Sequence, residues 1–176
     1  VAPPACSGLT SFYCTEFASS TGWTLGTEWQ IGTATASSGQ SNGGPDPSYT
    51  PFSGNRVAGV VIGGNAAQTL HDYYYLVSPA FNTATGSSTV TLSYFRWLNS
   101  DYTPYMQNVV DVFDGTTWQR VWETAGTAVF DSSWQKQTFD VTSRRNSAMR
   151  VRFGFNIANS GVWKVSSWNL AQVRVF

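Results

Sequence analysis

The sequence predicts an all-β fold, an antiparallel β-sandwich of the jelly-roll type. Val90, Leu92 and Tyr94 alternate with Thr91, Ser93 and Phe95, and Val151, Phe153, Phe155 and Ile157 recur at every second position. That period of two marks strands with one face buried. Asp114-Gly115 stands between two apolar runs, NVVDVF and WQRVW, where a tight hairpin turn needs residues that accept positive φ. No segment sustains a period of about 3.6 residues, and short strands separated by Gly-rich turns stack as an antiparallel sandwich.

Taken in order, residues 1–15 form a Pro-rich arm and residues 16–176 a single jelly-roll domain. A short strand is expected around Phe17, followed by a Gly turn and the apolar positions Trp23, Leu25, Trp29 and Ile31. Thr33 to Gly54 is a long loop of Ser, Gly, Pro, Asn and Thr, with almost nothing apolar before Tyr49. A loop of that length is either functional or metal-ordered, or else a disordered excursion. The next strand is expected within Asn55 to Asn65, then a helical turn near Ala66 to Leu70, then a strand over Tyr73 to Pro79.

Ser87 to Asn99 reads as the core strand. Towards its end both parities become bulky, Phe95 and Trp97 on one side and Tyr94 and Arg96 on the other, so both faces are expected to be covered. The hairpin Asn108 to Trp122 follows, then strands over Trp134 to Val141 and Val151 to Ala158, and a final strand, WNLAQVRVF, with one irregularity.

Composition excludes several classes of function. Ten basic and ten acidic residues cancel, and only 11% of residues are charged, so no basic patch exists to capture nucleic acid or an anionic membrane. No apolar run is long enough to span a bilayer, so membrane insertion is not expected. The two cysteines, Cys6 and Cys14, have neither CxxC spacing nor additional His or Cys partners. They are expected to form a local disulfide in an oxidising compartment. The aromatic fraction of 15%, together with abundant Ser, Thr, Gly and Asn, fits a secreted bacterial β-protein. The opening VAPPAC reads as a mature terminus or the end of an interdomain linker, which leaves room for an upstream catalytic domain.

Catalytic chemistry finds little support. The single histidine, His71, is followed by Asp72, without a GxSxG elbow; this reads as a loop pair. A glycosidase needs only two carboxylates, and Asp111 and Glu123 are placed to face one another across the hairpin, but no motif singles them out. Asp114, Asp131 and Asp140 read as turn residues. If Arg96 points inward it needs a partner, and Asp111 is the natural one. Tryptophan faces stack on sugar rings. The candidates for such a site are Trp163, whose neighbours in SGVWKVSS are polar, then Tyr102 and Tyr105 in the SDYTPY loop, then Trp97 and Trp118, with Trp122 also near a strand end. Most of the eight tryptophans are expected in the core.

FASSTGW, NRVAGVVIGGN, YYLVSPAF, RWLN, DVFDGTTWQRVW, WQ…FDV, VRFGF and the terminal WN…V together resemble the MAM-like and cleaved-adhesin-like jelly-roll domains of secreted bacterial peptidases and surface proteins. The resemblance runs from Phe17 to Phe176. It implies a non-catalytic extracellular module that binds carbohydrate, a surface glycoconjugate or a surface protein, or that serves a peptidase as an accessory domain. Several such domains carry a structural calcium. Here Ala18 follows Phe17, and Ala171 and Gln172 follow Leu170, where the pattern has acidic residues. The remaining candidate ligands are Glu16, Asp46, Asn55 and Asp72, though Glu16 and Asp72 read equally well as surface carboxylates.

Overall fold

Alternating apolar rows build two sheets that close on each other. The computed structural model describes residues 2–20, 22–40, 42–86, 89–166 and 168–176. Its strands are β1 (Tyr13–Thr15), β2 (Thr24–Leu25), β3 (Trp29–Thr33), β4 (Arg56–Val60), β5 (His71–Val77), β6 (Thr91–Ser100), β7 (Met106–Phe113), β8 (Trp118–Glu123), β9 (Val129–Phe130), β10 (Gln135–Asp140), β11 (Arg150–Ile157) and β12 (Trp168–Val175). One sheet has seven strands in the order β10-β6-β12-β4-β3, with β1 added to β12 and β9 to β6. The other has five, β2-β5-β11-β7-β8. The pairings are antiparallel throughout, for example Val151 opposite Val112 and Leu92 opposite Val175.

Between the sheets lies the core. Leu92, Tyr94 and Leu98 of β6 meet Val110 and Val112 of β7, the full Val151-Phe153-Phe155-Ile157 row of β11, and Trp168 and Leu170 of β12. Truncating any of the fully buried leucines to alanine is expected to cost about 2–5 kcal/mol. The irregularity in the last strand is a bulge: between Ala171 and Arg174 the chain advances one residue more than β6 does, and Gln172 takes φ of +36°. The extra residue reverses the parity, so Val173 and Val175 return to the core row.

β6 is interior to its sheet, between β10 and β12, and is covered on both faces as its bulk requires. Its expected entry at Ser87 and Ser88 lies outside the described residues. On its outer face Phe95 packs edge-on against Phe52 and Trp97 against Tyr49, so the long Ser/Gly-rich loop lies over the seven-stranded sheet. Tyr49 O also accepts the indole N–H of Trp134 at 2.8 Å.

Several expectations need correction. Phe17 belongs to no strand. Its φ is +56° and its ring is buried against Trp23, so it plugs the core from a turn while Tyr13–Thr15 does the pairing. Ala66 to Leu70 forms no helical turn; Leu70 is 56% exposed and the segment is irregular, with a bend at Thr69, since one isolated turn cannot repay helix nucleation. The Asn55 to Asn65 strand is shorter than expected, because Val61 turns at φ of +49°. His71 and Asp72 begin β5 instead of forming a loop. The partner of Arg96 is Asp131, not Asp111: the guanidinium donates to both carboxylate oxygens at 2.8 and 3.1 Å. Asp131 also accepts Leu98 N–H at 2.9 Å, so it is more than a turn residue. Asp111 lies on the opposite sheet, facing outward, out of reach of an arginine on the inner face of β6.

Candidate functional site

At one end of the sandwich, where β6 finishes and the loops 101–105 and 159–163 cross, aromatic side chains gather. Tyr105 packs edge-on against Tyr102 (5.3 Å between centroids), and Tyr102 against Trp163 (5.5 Å). Trp163 in turn lies nearly parallel to Phe130 at 6.3 Å. One buried carboxylate clamps the two loops together: Asp101 Oδ2 accepts Trp163 N–H at 2.8 Å and Oδ1 accepts Tyr102 N–H at 2.7 Å. The rings are therefore held from the backbone. Trp163, Tyr102 and Tyr105 are half-buried, and Phe130 is 47% exposed.

Phe130 also walls a cavity of about 330 Å³, with Gly43, Gly44, Pro45, Trp97, Asp131 and Ser132. That volume is at the small end of the roughly 300–1,000 Å³ range of ligand sites. Trp97 is 8% exposed, packed between Tyr49 and Trp134, and its indole N–H has no hydrogen-bond partner among the described residues. Two residues along the same face of β6, Asn99 is fully buried. Its Oδ1 accepts Gly44 N–H at 3.0 Å, and its Nδ2 has no partner. Gly43 permits this close approach, for a Cβ there would come within 2.6 Å of Asn99 Oδ1 and 3.0 Å of the Phe130 ring. Trp97, Tyr102, Tyr105 and Trp163 thus converge on one end of the molecule. Phe130, Asn99 and Asp101 are the members that sequence reasoning missed. Asn99 and Asp101 leave a polar trace in LNSD at the end of β6, and Phe130 leaves none.

Trp118 lies elsewhere, on the outer face of the five-stranded sheet. Arg152 is sandwiched there, with its guanidinium carbon 3.9 Å from the Tyr75 centroid and 4.3 Å from that of Trp118. Asp111, 2% exposed, accepts from Arg120 Nε at 2.5 Å and from Arg152 Nε at 2.8 Å. Glu123 accepts from Arg120 at 2.5 Å, so the two hairpin carboxylates share one arginine. Burial works against the charge of Arg120, but Asp111 and Glu123 hold its pKa above the ordinary value. Burial likewise raises the phenols of Tyr73 and Tyr75. Trp122 turns inward instead, over Arg96 and against Trp168. His71 stacks on Tyr74 at 3.6 Å, with Nε2 at 4.0 Å from Glu28 Oε2.

The expected calcium ligands do not assemble. Glu16 Oε1 accepts Cys6 N–H at 2.6 Å, beside the Cys6–Cys14 disulfide. Asp46 accepts from Asn169 at 2.8 Å, and Asn55 Oδ1 accepts Thr50 N–H at 2.7 Å. Asp72 is exposed on β5, in the other sheet. Among the described residues no three His, Cys, Asp or Glu side chains are grouped to hold a metal. This donor set does not fit the six to eight oxygens that calcium takes.

No family model and no curated protein matches the sequence. Solved structures match its fold. The K1 cleaved adhesin domain of Lys-gingipain from Porphyromonas gingivalis W83 is similar at a TM-score of 0.53 and 13% identity, over 93% of this chain and 96% of that one. TmCBM61, solved in complex with β-1,4-galactotriose, gives a TM-score of 0.51 and 9% identity over 89% and 88% of the two chains. A CBM35 from Paenibacillus barcinonensis is similar at 0.47 and 18% identity, over 93% and 98%. The chain has the jelly-roll fold of cleaved-adhesin and carbohydrate-binding domains. Its described residues contain no helix long and apolar enough to cross a membrane.

Proposed function

We propose that this protein is a non-catalytic, extracellular carbohydrate-binding module and that its site is the cavity bordered by Phe130 and Trp97, with Trp163, Tyr102 and Tyr105 as its aromatic flank. The observation that carries this reading is a row of half-buried, backbone-clamped rings that runs through Phe130 to a cavity also lined by Trp97. Ring faces suit the CH surface of a pyranose. The fold, shared with TmCBM61, which was solved with β-1,4-galactotriose, and the disulfide agree with this reading. A surface protein, or a catalytic domain elsewhere in the same precursor, is the second reading, favoured by the fold of the cleaved adhesin domain.

A glycan and polysaccharide array, run with and without EDTA, tests the proposal. Sugar binding is expected. It should fall at least roughly tenfold, about 1.4 kcal/mol, in Trp163→Ala, and it should persist in EDTA because the candidate metal ligands already hold protein donors or stand apart. Silence across the array in both buffers would favour the protein-contact reading.

A further inference from the structure

Aromatic surface continues past the cavity on the side away from Trp163. The Ser/Gly-rich loop runs along the outer face of β6 in the direction opposite to the strand. Gly44 donates to Asn99 Oδ1 at 3.0 Å, Tyr49 packs edge-on against Trp97 at 6.1 Å, and Phe52 packs against Phe95 at 5.5 Å. Side chains two apart on a strand share a face, so these contacts fix where each loop residue stands along β6. Tyr49 is level with Trp97, and Gly44 is level with Asn99, which pairs with Phe130. Trp163 stands further on, its N–H held by Asp101. The cavity, lined by Gly43, Gly44, Trp97 and Phe130 among others, therefore lies between Tyr49 and Trp163.

Exposure singles out the same place. Of the described aromatic side chains, Tyr49 and Phe130 are the two most exposed, at 52% and 47%. Phe130 is a wall of the cavity, and Tyr49 leans on Trp97, another wall. Exposed ring surface gathered about a cavity marks a contact site. From the level of Trp97 to that of Asp101 the extended chain covers about 13 Å, more than one pyranose ring spans.

Resting on the carbohydrate reading above, we infer that the site takes a linear oligosaccharide and not a single sugar, with Tyr49 as a second stacking platform beyond the cavity. One sugar ring lies over Phe130 and Trp163, the following units cross the cavity, and a further ring stacks on Tyr49. The carbonyl of Tyr49 accepts the indole N–H of Trp134 at 2.8 Å, so the backbone that carries this platform is held without a ligand. Such preorganisation spares binding the cost of ordering a loop.

Calorimetry on the full chain tests this with β-1,4-linked gluco-, xylo- and galacto-oligosaccharides from monosaccharide to pentasaccharide, and with the same lengths of any glycan the array returns. In the series that binds, affinity is expected to rise at least roughly tenfold between the monosaccharide and the tetrasaccharide. Tyr49→Ala keeps the carbonyl that holds Trp134 and removes the platform. It should bring the tetrasaccharide within about threefold of the monosaccharide. Tyr49→Phe keeps the ring and should retain the full gain, which separates lost stacking from a disturbed loop. Trp163-dependent binding with equal affinity for monosaccharide and tetrasaccharide, or a length gain that survives Tyr49→Ala, would overturn this inference and leave the carbohydrate reading standing. Failure of every sugar to bind, here and on the array, would overturn both.

Discussion

The outer face of the five-stranded sheet and the cavity beside Phe130 are both built from aromatic rings and polar groups, and either one would draw the eye in a search for a sugar site. They differ in what their polar groups are doing. On the sheet, Asp111 holds two arginines, Arg152 is clasped between Tyr75 and Trp118, and Glu123 takes the rest of Arg120. Beside Phe130, the donors of Trp97 and Asn99 are buried and idle. A satisfied network behaves as part of the scaffold, whereas the cavity beside Phe130 leaves ring surface open to solvent. Lack of a partner does not by itself mark a site: among the described residues Tyr94 Oη and Trp168 Nε1 also lack one, and they lie in the core between the sheets.

Three changes separate these roles. The largest effect belongs to Asp111→Ala, which leaves Arg152 without a carboxylate and Arg120 with Glu123 alone. A loss of about 3 kcal/mol is expected, at the low end for a broken buried pair because Arg120 is 37% exposed. Urea unfolding measures it, and the folded fraction should still bind sugar. Trp118→Ala removes one half of the clasp on Arg152 and should cost about 1 kcal/mol. The affinity of this variant for sugar in calorimetry should match that of the parent. If it fell instead, the sheet face would be the binding surface and the contrast drawn above would be wrong.

The smallest effect concerns Asp114 in the β7–β8 turn. Its carboxylate accepts the N–H groups of Thr117 and Thr116, which hold its pKa below the ordinary 3.8. A lowered folded pKa means that the ionised form is favoured by folding. Its contribution is present in full above the ordinary value and fades as pH falls through the folded one. NMR titration of the Asp114 carboxyl should show this, and Asp114→Asn should flatten the acid limb of the stability curve only slightly.

Much of this architecture was legible from local pattern. The β11 row, the Asp114-Gly115 turn (Gly115 at φ of +100°) and the bulge in β12 each declare themselves within a few residues. Tyr102, Tyr105 and Trp163 could be chosen because large rings stood among polar, turn-forming neighbours. Phe130 and Asn99 could not. Their significance depends on Gly43 and Gly44 being folded back over β6, with Gly44 standing 55 positions before Asn99 and further still before Phe130. The Arg96 pairing failed for a similar reason: Asp111 and Asp131 both lie downstream at plausible distances, and only the sheet assignment puts one of them within reach. Charge partners across sheets are a property of topology, which periodicity does not encode.

The two strands that meet near the chain ends also set the direction in which this molecule faces. Thr91, the first residue of β6, exchanges backbone hydrogen bonds with Phe176, and β1 lies along the last residues of β12, with Tyr13 opposite Val175. β6 then runs its full ten residues, roughly 30 Å, before reaching Asn99 and Ser100 beside the cavity. The last residue of β12 therefore lies at the pole opposite the cavity, whereas the N-terminal arm folds back so that Pro4 O accepts from Gln172 partway along β12. A tether attached after Phe176, whether a flexible linker, a resin or a neighbouring domain, holds the module like a stalked cup with its mouth turned outward, and leaves the binding end unobstructed.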